Sequence, residues 1–257
     1  AESTRLGIPM IGGMDPHPHI YHGTRIVGGV SAMALCATND IETIRRVYEV
    51  WGKEMRASGI HMTLGPQTDL TTDPRGVRNL DTPGEDADWV YQMNQAIVEG
   101  LQGQEVNENS ALACPKHFPG VGCTRDGHDI HQTFMGKATF PEGYNASTPL
   151  TSTRETLKWH LKPFAGAIDA GTWAVMAPYY EYPEFIQDLP HHKRNEIVLE
   201  EWLRGKLGFK GLICTDWGAV TPYADVQGGC DTARTSKEFD QWLKGKQTNE
   251  ERIDGSI

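Results

Sequence analysis

The groups in this chain best suited to chemistry stand where short apolar runs end. Asp15 follows IPMIGGM, Lys116 and His117 follow ALACP, Tyr179 stands just past WAVMAP, and Asp216 follows GLICT. Two carboxylates, an amine, an imidazole and a phenol can between them attack, move protons and hold a polar ligand. A single aspartate at a strand end is more often the N-cap of the next helix. Four such ends with different chemistries are harder to explain by capping alone. In parallel α/β barrels the C-terminal rim carries the active site, and its residues come from several strands.

Other chemistries find less support. The histidines cluster as His17, His19 and His22, as His128 and His131 beside Asp129, and as His191-His192, without an HExxH or other dense ligand signature, so no metal is expected. Gly12-Gly13 and Gly28-Gly29 lack the GxGxxG spacing, and neither GxxxxGK[ST] nor GxSxG occurs, so no phosphate-bearing cofactor is implied. The five cysteines are widely spaced with no CxxC pair, and Cys114 and Cys214 read as buried small hydrophobes. A net charge of −10 disfavours nonspecific binding to nucleic acid or an anionic membrane surface. No apolar run is long enough to span a membrane.

The elements that must position these groups alternate along the chain. Strands are predicted over 8–14, 60–64, 111–114, 173–177 and 211–215, with 224–228 as a further candidate. Helices are predicted over 41–58, 87–101, 157–170 and 196–206. Asn39-Asp40 can cap the first of these helices. Its apolar positions are Ile44, Val47, Val50 and Trp51; those of the second are Val90, Met93, Ile97 and Leu101. Pro163 is expected near the first turn of the third helix or at a kink, and Gly208 closes the fourth. This βαβ order argues for parallel strands with helical crossovers. A length of 257 residues suits one (β/α)₈ barrel. The polar stretch from Gly120 to about Thr153 lacks periodicity, and an ordered loop of that length is usually functional.

At these residues the sequence resembles glycoside hydrolase family 3. The blocks that carry the resemblance run in order: RLGIP before Asp15, LCATND, GKEMRASGIH, GPQTDLTTDPRGVRN with TPGED, KHFPGVG, and LRGKLGFKGLICTDWGAV. DGHDIH and WHLKPF…MAPYY look most like the β-glucosidase-type branch. The resemblance implies a TIM-barrel-like fold over 1–257 and a retaining β-glycosidase releasing terminal β-D-glucosyl residues. It implies Asp216 as the nucleophile of a covalent glycosyl-enzyme intermediate. Asp15, Arg78, Lys116 and His117 would hold the glycone hydroxyls, Tyr179 would lie beside the nucleophile, and Trp217 would offer an aromatic wall. A neutral β-glucoside or β-linked oligosaccharide needs directional donors and acceptors rather than a counter-charge.

The pattern D-P-R-W-G-R reads Asp73-Pro74-Arg75-Gly76-Val77-Arg78 here, without the tryptophan. Judged against the family, the chain begins at the third barrel segment and ends before a second domain, so a truncated barrel is expected. In β-glucosidase-type members the acid/base is a glutamate of that following domain; in the N-acetylglucosaminidase branch it is a loop Asp-His pair. The resemblance therefore places the acid/base in a second domain or partner chain, or else at His128 with Asp126 or at another Glu or Asp of this chain, although Val121 stands where that branch has histidine. β-N-acetylhexosaminidase, β-xylosidase and a catalytically incomplete sugar-binding barrel are the alternatives. Family resemblance alone favours a periplasmic or extracellular location.

Overall fold

This computed structural model of the chain describes residues 11–15, 30–76, 78–124, 127, 153–178, 183–186, 188–189 and 191–216. Among them are five strands: β1 (Gly13–Met14), β2 (Met62–Thr63), β3 (Leu112–Ala113), β4 (Ala174–Ala177) and β5 (Leu212–Thr215). Helix α1 (Ala32–Cys36) precedes α2 (Ile41–Ala57); α3 (Ala87–Gln102), α4 (Arg154–Asp169) and α5 (His191–Asn195) follow, and α5 runs on into a π-helical stretch, Glu196–Lys206. Every pairing is parallel, in the orders β1-β2-β3 and β4-β5. The predicted strand at 224–228 lies outside the described residues.

Local chemistry explains where the helices start. Asp40 accepts the Thr43 amide at 3.1 Å, and Asp86 accepts the Asp88 and Trp89 amides at 2.9 and 2.8 Å. Thr153 and Thr156 form a reciprocal capping box at α4. Pro163 stands inside α4, which continues past it to Asp169, rather than in its first turn. Gly208 ends the π-helical stretch with φ +69°. The regular ladders of β1–β3 are shorter than the apolar runs predict. Gly65-Pro66 follows β2 after Leu64, and proline has no N–H to give a ladder. Pairing nevertheless goes on past it, with Cys114 N donating to Gly65 O at 2.9 Å and Lys116 N to Pro66 O at 3.0 Å.

Both faces of β2 and β4 are buried, as is β5 past Leu212, so these strands read as continuous apolar runs rather than alternating ones. Val175, Ala177 and Ile213 face the helices with Phe164, Leu199, Trp202 and Leu203. Ala174, Met176 and Cys214 face the opposite way, with Met62, Leu64 and Cys114. Helix α2 buries Ile44, Tyr48, Trp51 and Met55 against α3, but Val47 and Val50 are 38% and 58% exposed. The 3.6-residue period explains this correction: Val47 and Val50 each sit one position before a buried residue, about 100° around the helix. Helices α2, α3 and α4 approach closely at two glycines. A Cβ at Gly100 would strike the Arg45 carbonyl, and one at Gly166 the Tyr91 carbonyl.

Candidate active site

The C-terminal ends of the strands converge on one cluster of charged side chains. Past β3 the chain is clamped on both sides. Thr68 N donates to Lys116 O at 2.7 Å on the β2 side, and Phe118 N donates to Met176 O at 2.9 Å on the β4 side. The Lys116–His117 bond between these clamps is cis. The two hydrogen bonds hold this backbone at the rim, where Lys116 and His117 meet neighbours from other strands.

Lys116 pairs with Asp15, which follows β1; the lysine is buried and the aspartate 34% exposed. His117 lies between two carboxylates. Its Nδ1 is 3.0 Å from Asp69 Oδ2, and its Nε2 is 3.4 Å from Asp216 Oδ2. All three side chains are buried. Asp69 also accepts the amides of His117, at 3.2 Å to each oxygen, and of Val121, at 2.8 Å. Arg78, within 3.6 Å of Asp81, completes the charged set.

Burial dominates the titration of Asp69 and Lys116. It pushes the Asp69 carboxyl up to about 7, against the pull of the Val121 and His117 amides and of the Arg78 and Lys116 charges. Burial also lowers the Lys116 ammonium, and Arg78 adds to that, whereas Asp15 and Asp216 favour its charged form. Buried charges persist where they are paired, and this rim pairs its own: a dry floor of acids and bases opening at Asp15. Such a floor can donate to and accept from several hydroxyls, and it sets the Asp216 carboxyl beside a ring nitrogen.

Of the residues singled out from sequence, Asp15, Lys116, His117 and Asp216 are brought together, and the Arg78 charge acts on Lys116 and Asp69. Tyr179, Trp217, His128 and Asp126 lie outside the described residues. Asp69 was missed. It lies six residues past the end of β2 and three beyond the Gly65-Pro66 breaker that closes the apolar run. Extending the strand-end search past the proline would have found it. Among the described residues no group of His, Cys, Asp and Glu is arranged to hold a metal ion.

The family model of the glycosyl hydrolase family 3 N terminal domain matches residues 1–238. A probable β-glucosidase C of Aspergillus flavus is 35% identical over 229 residues, covering 86% of this chain and 34% of that protein. A periplasmic β-glucosidase/β-xylosidase of Dickeya chrysanthemi is 32% identical over 250 residues, covering 90% and 35%. The crystal structure of a β-glucosidase from Listeria innocua in complex with glucose superposes with a TM-score of 0.77 at 26% identity, covering 99% of this chain and 35% of that one. The chain thus spans about a third of the length of these relatives.

Proposed function

The chain belongs to the N-terminal domain family of glycosyl hydrolase family 3, and from that membership we propose that it is the catalytic barrel portion of a retaining β-glycosidase acting on terminal β-D-glucosyl residues. In this reading the described strands are part of a (β/α)₈ barrel extending over 1–257. The observation that carries it is the buried Asp216 carboxylate set 3.4 Å from His117 Nε2, on a floor shared with Lys116 and Asp15.

Asp216 attacks the anomeric carbon from one face of the sugar while the glycosidic oxygen leaves on the other. The product is a glycosyl-aspartate ester, which water then hydrolyses with a second inversion, so the configuration is retained. Asp15, Lys116, His117 and Arg78 hold the glycone hydroxyls through charge-assisted hydrogen bonds. Those that tighten as the ring flattens towards the oxocarbenium ion lower the barrier rather than merely the binding energy. Tyr179 and Trp217 complete the subsite. The group that protonates the leaving oxygen is a carboxyl of a second domain or, within this chain, His128 with Asp126. The substrate is a β-glucoside or a β-linked oligosaccharide, encountered in the periplasm or outside the cell. A β-xyloside is the second reading, favoured by the double activity in the name of the Dickeya chrysanthemi relative.

Incubation with 2,4-dinitrophenyl 2-deoxy-2-fluoro-β-D-glucoside, whose leaving group needs no acid, tests the reading. The expected result is one covalent adduct, mapped to Asp216 by mass spectrometry and absent in Asp216→Asn. An adduct on another residue, or none, overturns the nucleophile. The same assay with the 2-fluoro-xyloside and a 2-acetamido substrate separates the glycone alternatives.

A further inference from the structure

The chain of contacts Asp69–His117–Asp216 joins three strand ends through one imidazole. Resting on the reading of Asp216 as nucleophile, we propose that Asp69 is the positioning residue of this rim: from the side opposite Asp216 it decides which nitrogen of His117 carries a proton, and so whether an Nε2–H faces the nucleophile.

The geometry leaves few arrangements. Asp69 Oδ2 and His117 Nδ1 are 3.0 Å apart, so a proton lies between them. With one further proton on the pair, either the imidazolium donates from both nitrogens, or a protonated Asp69 donates to Nδ1 and the ring keeps its Nε2–H. In both cases the protonated Nε2 is on the Asp216 side of the ring, 3.4 Å from Oδ2, where its partial positive charge favours that carboxylate. Without the further proton, Nδ1–H donates to Asp69 and the Nε2 lone pair meets the Asp216 carboxylate, which is repulsive. The amides of His117 and Val121 anchor Asp69 itself, so the carboxyl is fixed independently of the ring it directs. The charged groups facing this unit come from every neighbouring element: Asp15 after β1, Arg78 before the turn at Asn79–Asp81, Lys116 after β3 and Asp216 after β5. Arg78 and Lys116 favour the ionised Asp69, whereas burial opposes it and pushes its carboxyl up to about 7.

Asp69→Asn separates this role from a merely structural one. Its amide oxygen can still accept the Val121 amide, but its nitrogen stands against Nδ1 and donates to it. The ring of the variant is therefore held as the Nε2–H tautomer at every pH. The experiment uses the full chain labelled with ¹⁵N, following the His117 ring (assigned by its absence in His117→Gln) by long-range ¹H–¹⁵N correlation from about pH 5 to about pH 9. The wild-type ring is expected to lose its Nε2 proton as pH rises and to finish as the Nδ1–H tautomer, whereas Asp69→Asn keeps Nε2–H throughout. In parallel, the rate of Asp216 labelling by the 2-fluoro-glucoside is expected to fall with the same midpoint in the wild type. Asp69→Asn should label roughly tenfold more slowly or worse, because the anchor of the ring is altered, and without that midpoint. A wild-type ring that keeps Nε2–H at all pH overturns the proposal even if the variant does not fold. So does a variant whose ring and labelling profile both match the wild type. If the wild type is not labelled at Asp216, the glycosidase reading falls separately, and the ring spectra alone decide whether Asp69 governs His117.

Discussion

A buried imidazole without a partner is costly to charge, and His160 on α4 is one. It lies against Gly120, and its Nδ1 has no hydrogen-bond partner among the described residues. Burial lowers it from 6.5 to about 4. Between those values the unfolded chain binds the proton and the folded chain does not, so stability rises with pH across the window and is lost on acidification. The linkage amounts to about 3 kcal/mol. Asp69 works with the opposite sign: its carboxyl is raised to about 7, so the folded state holds the extra proton and stability falls as pH climbs from the ordinary carboxylate range. Comparison with His160→Leu, rather than the wild-type curve alone, isolates the histidine. In urea titrations at about pH 7 and about pH 4, the wild type should lose about 3 kcal/mol more than the variant. Equal losses would show that His160 takes up its proton in the folded state as readily as in water.

Between elements, one side chain joins α3 to two strands. Gln102, at the end of α3, accepts the Ala113 amide at 2.9 Å and the Trp173 amide at 3.0 Å through Oε1, and donates to Gly171 O at 2.9 Å. It thus serves the backbone of β3 and the start of β4, where the two sheets meet. Gln102→Met keeps the length but leaves both amides buried without an acceptor, so it should cost about 2–4 kcal/mol by chemical denaturation. A change below about 0.5 kcal/mol would mean that water serves these amides instead. At the opposite ends of the same strands lie Lys116 and His117, whose placement needs β3 and β4 in register. Gln102→Met should therefore also weaken glucose binding, although it touches nothing at the rim.

For the whole molecule, charge bears on what kind of ligand the rim takes. The net charge of −10 is large, yet the cluster of Asp15, Lys116, Arg78, Asp69 and Asp216 mixes both signs and is mostly buried. Binding a neutral glucoside there forms no net ion pair and releases no counterions. Its dissociation constant should then change less than about twofold between about 0.05 and about 0.5 M salt, measured by calorimetry with glucose or gluconolactone. A steep loss of affinity with salt would instead indicate a charged ligand, and the neutral-sugar reading would fail.

Most local features were legible along the chain, although the Thr153–Thr156 capping box starts α4 at Arg154, three residues before the predicted start. The cap at Asp40, the helical periodicity of α2 and α3, the βαβ alternation and the strand-end positions of Asp15, Lys116, His117 and Asp216 depend on residues within a turn or two of one another. Local propensity and periodicity reach that far. Tertiary structure decided what faces what. Val50 is as apolar as Ile44, and only the packing of α2 on α3 leaves one exposed and buries the other. Asp69 is an unremarkable aspartate in PQTDL until β2 and β3 pair and bring it, across 48 residues of chain, to the Nδ1 of His117. Contacts of that separation follow from strand order and register, and short buried strands carry no periodic signal from which register can be read. Asp15, Lys116, His117 and Asp216 could thus be named from sequence, whereas Asp69 and the order that sets His117 between Asp69 and Asp216 exist only once the strands lie side by side.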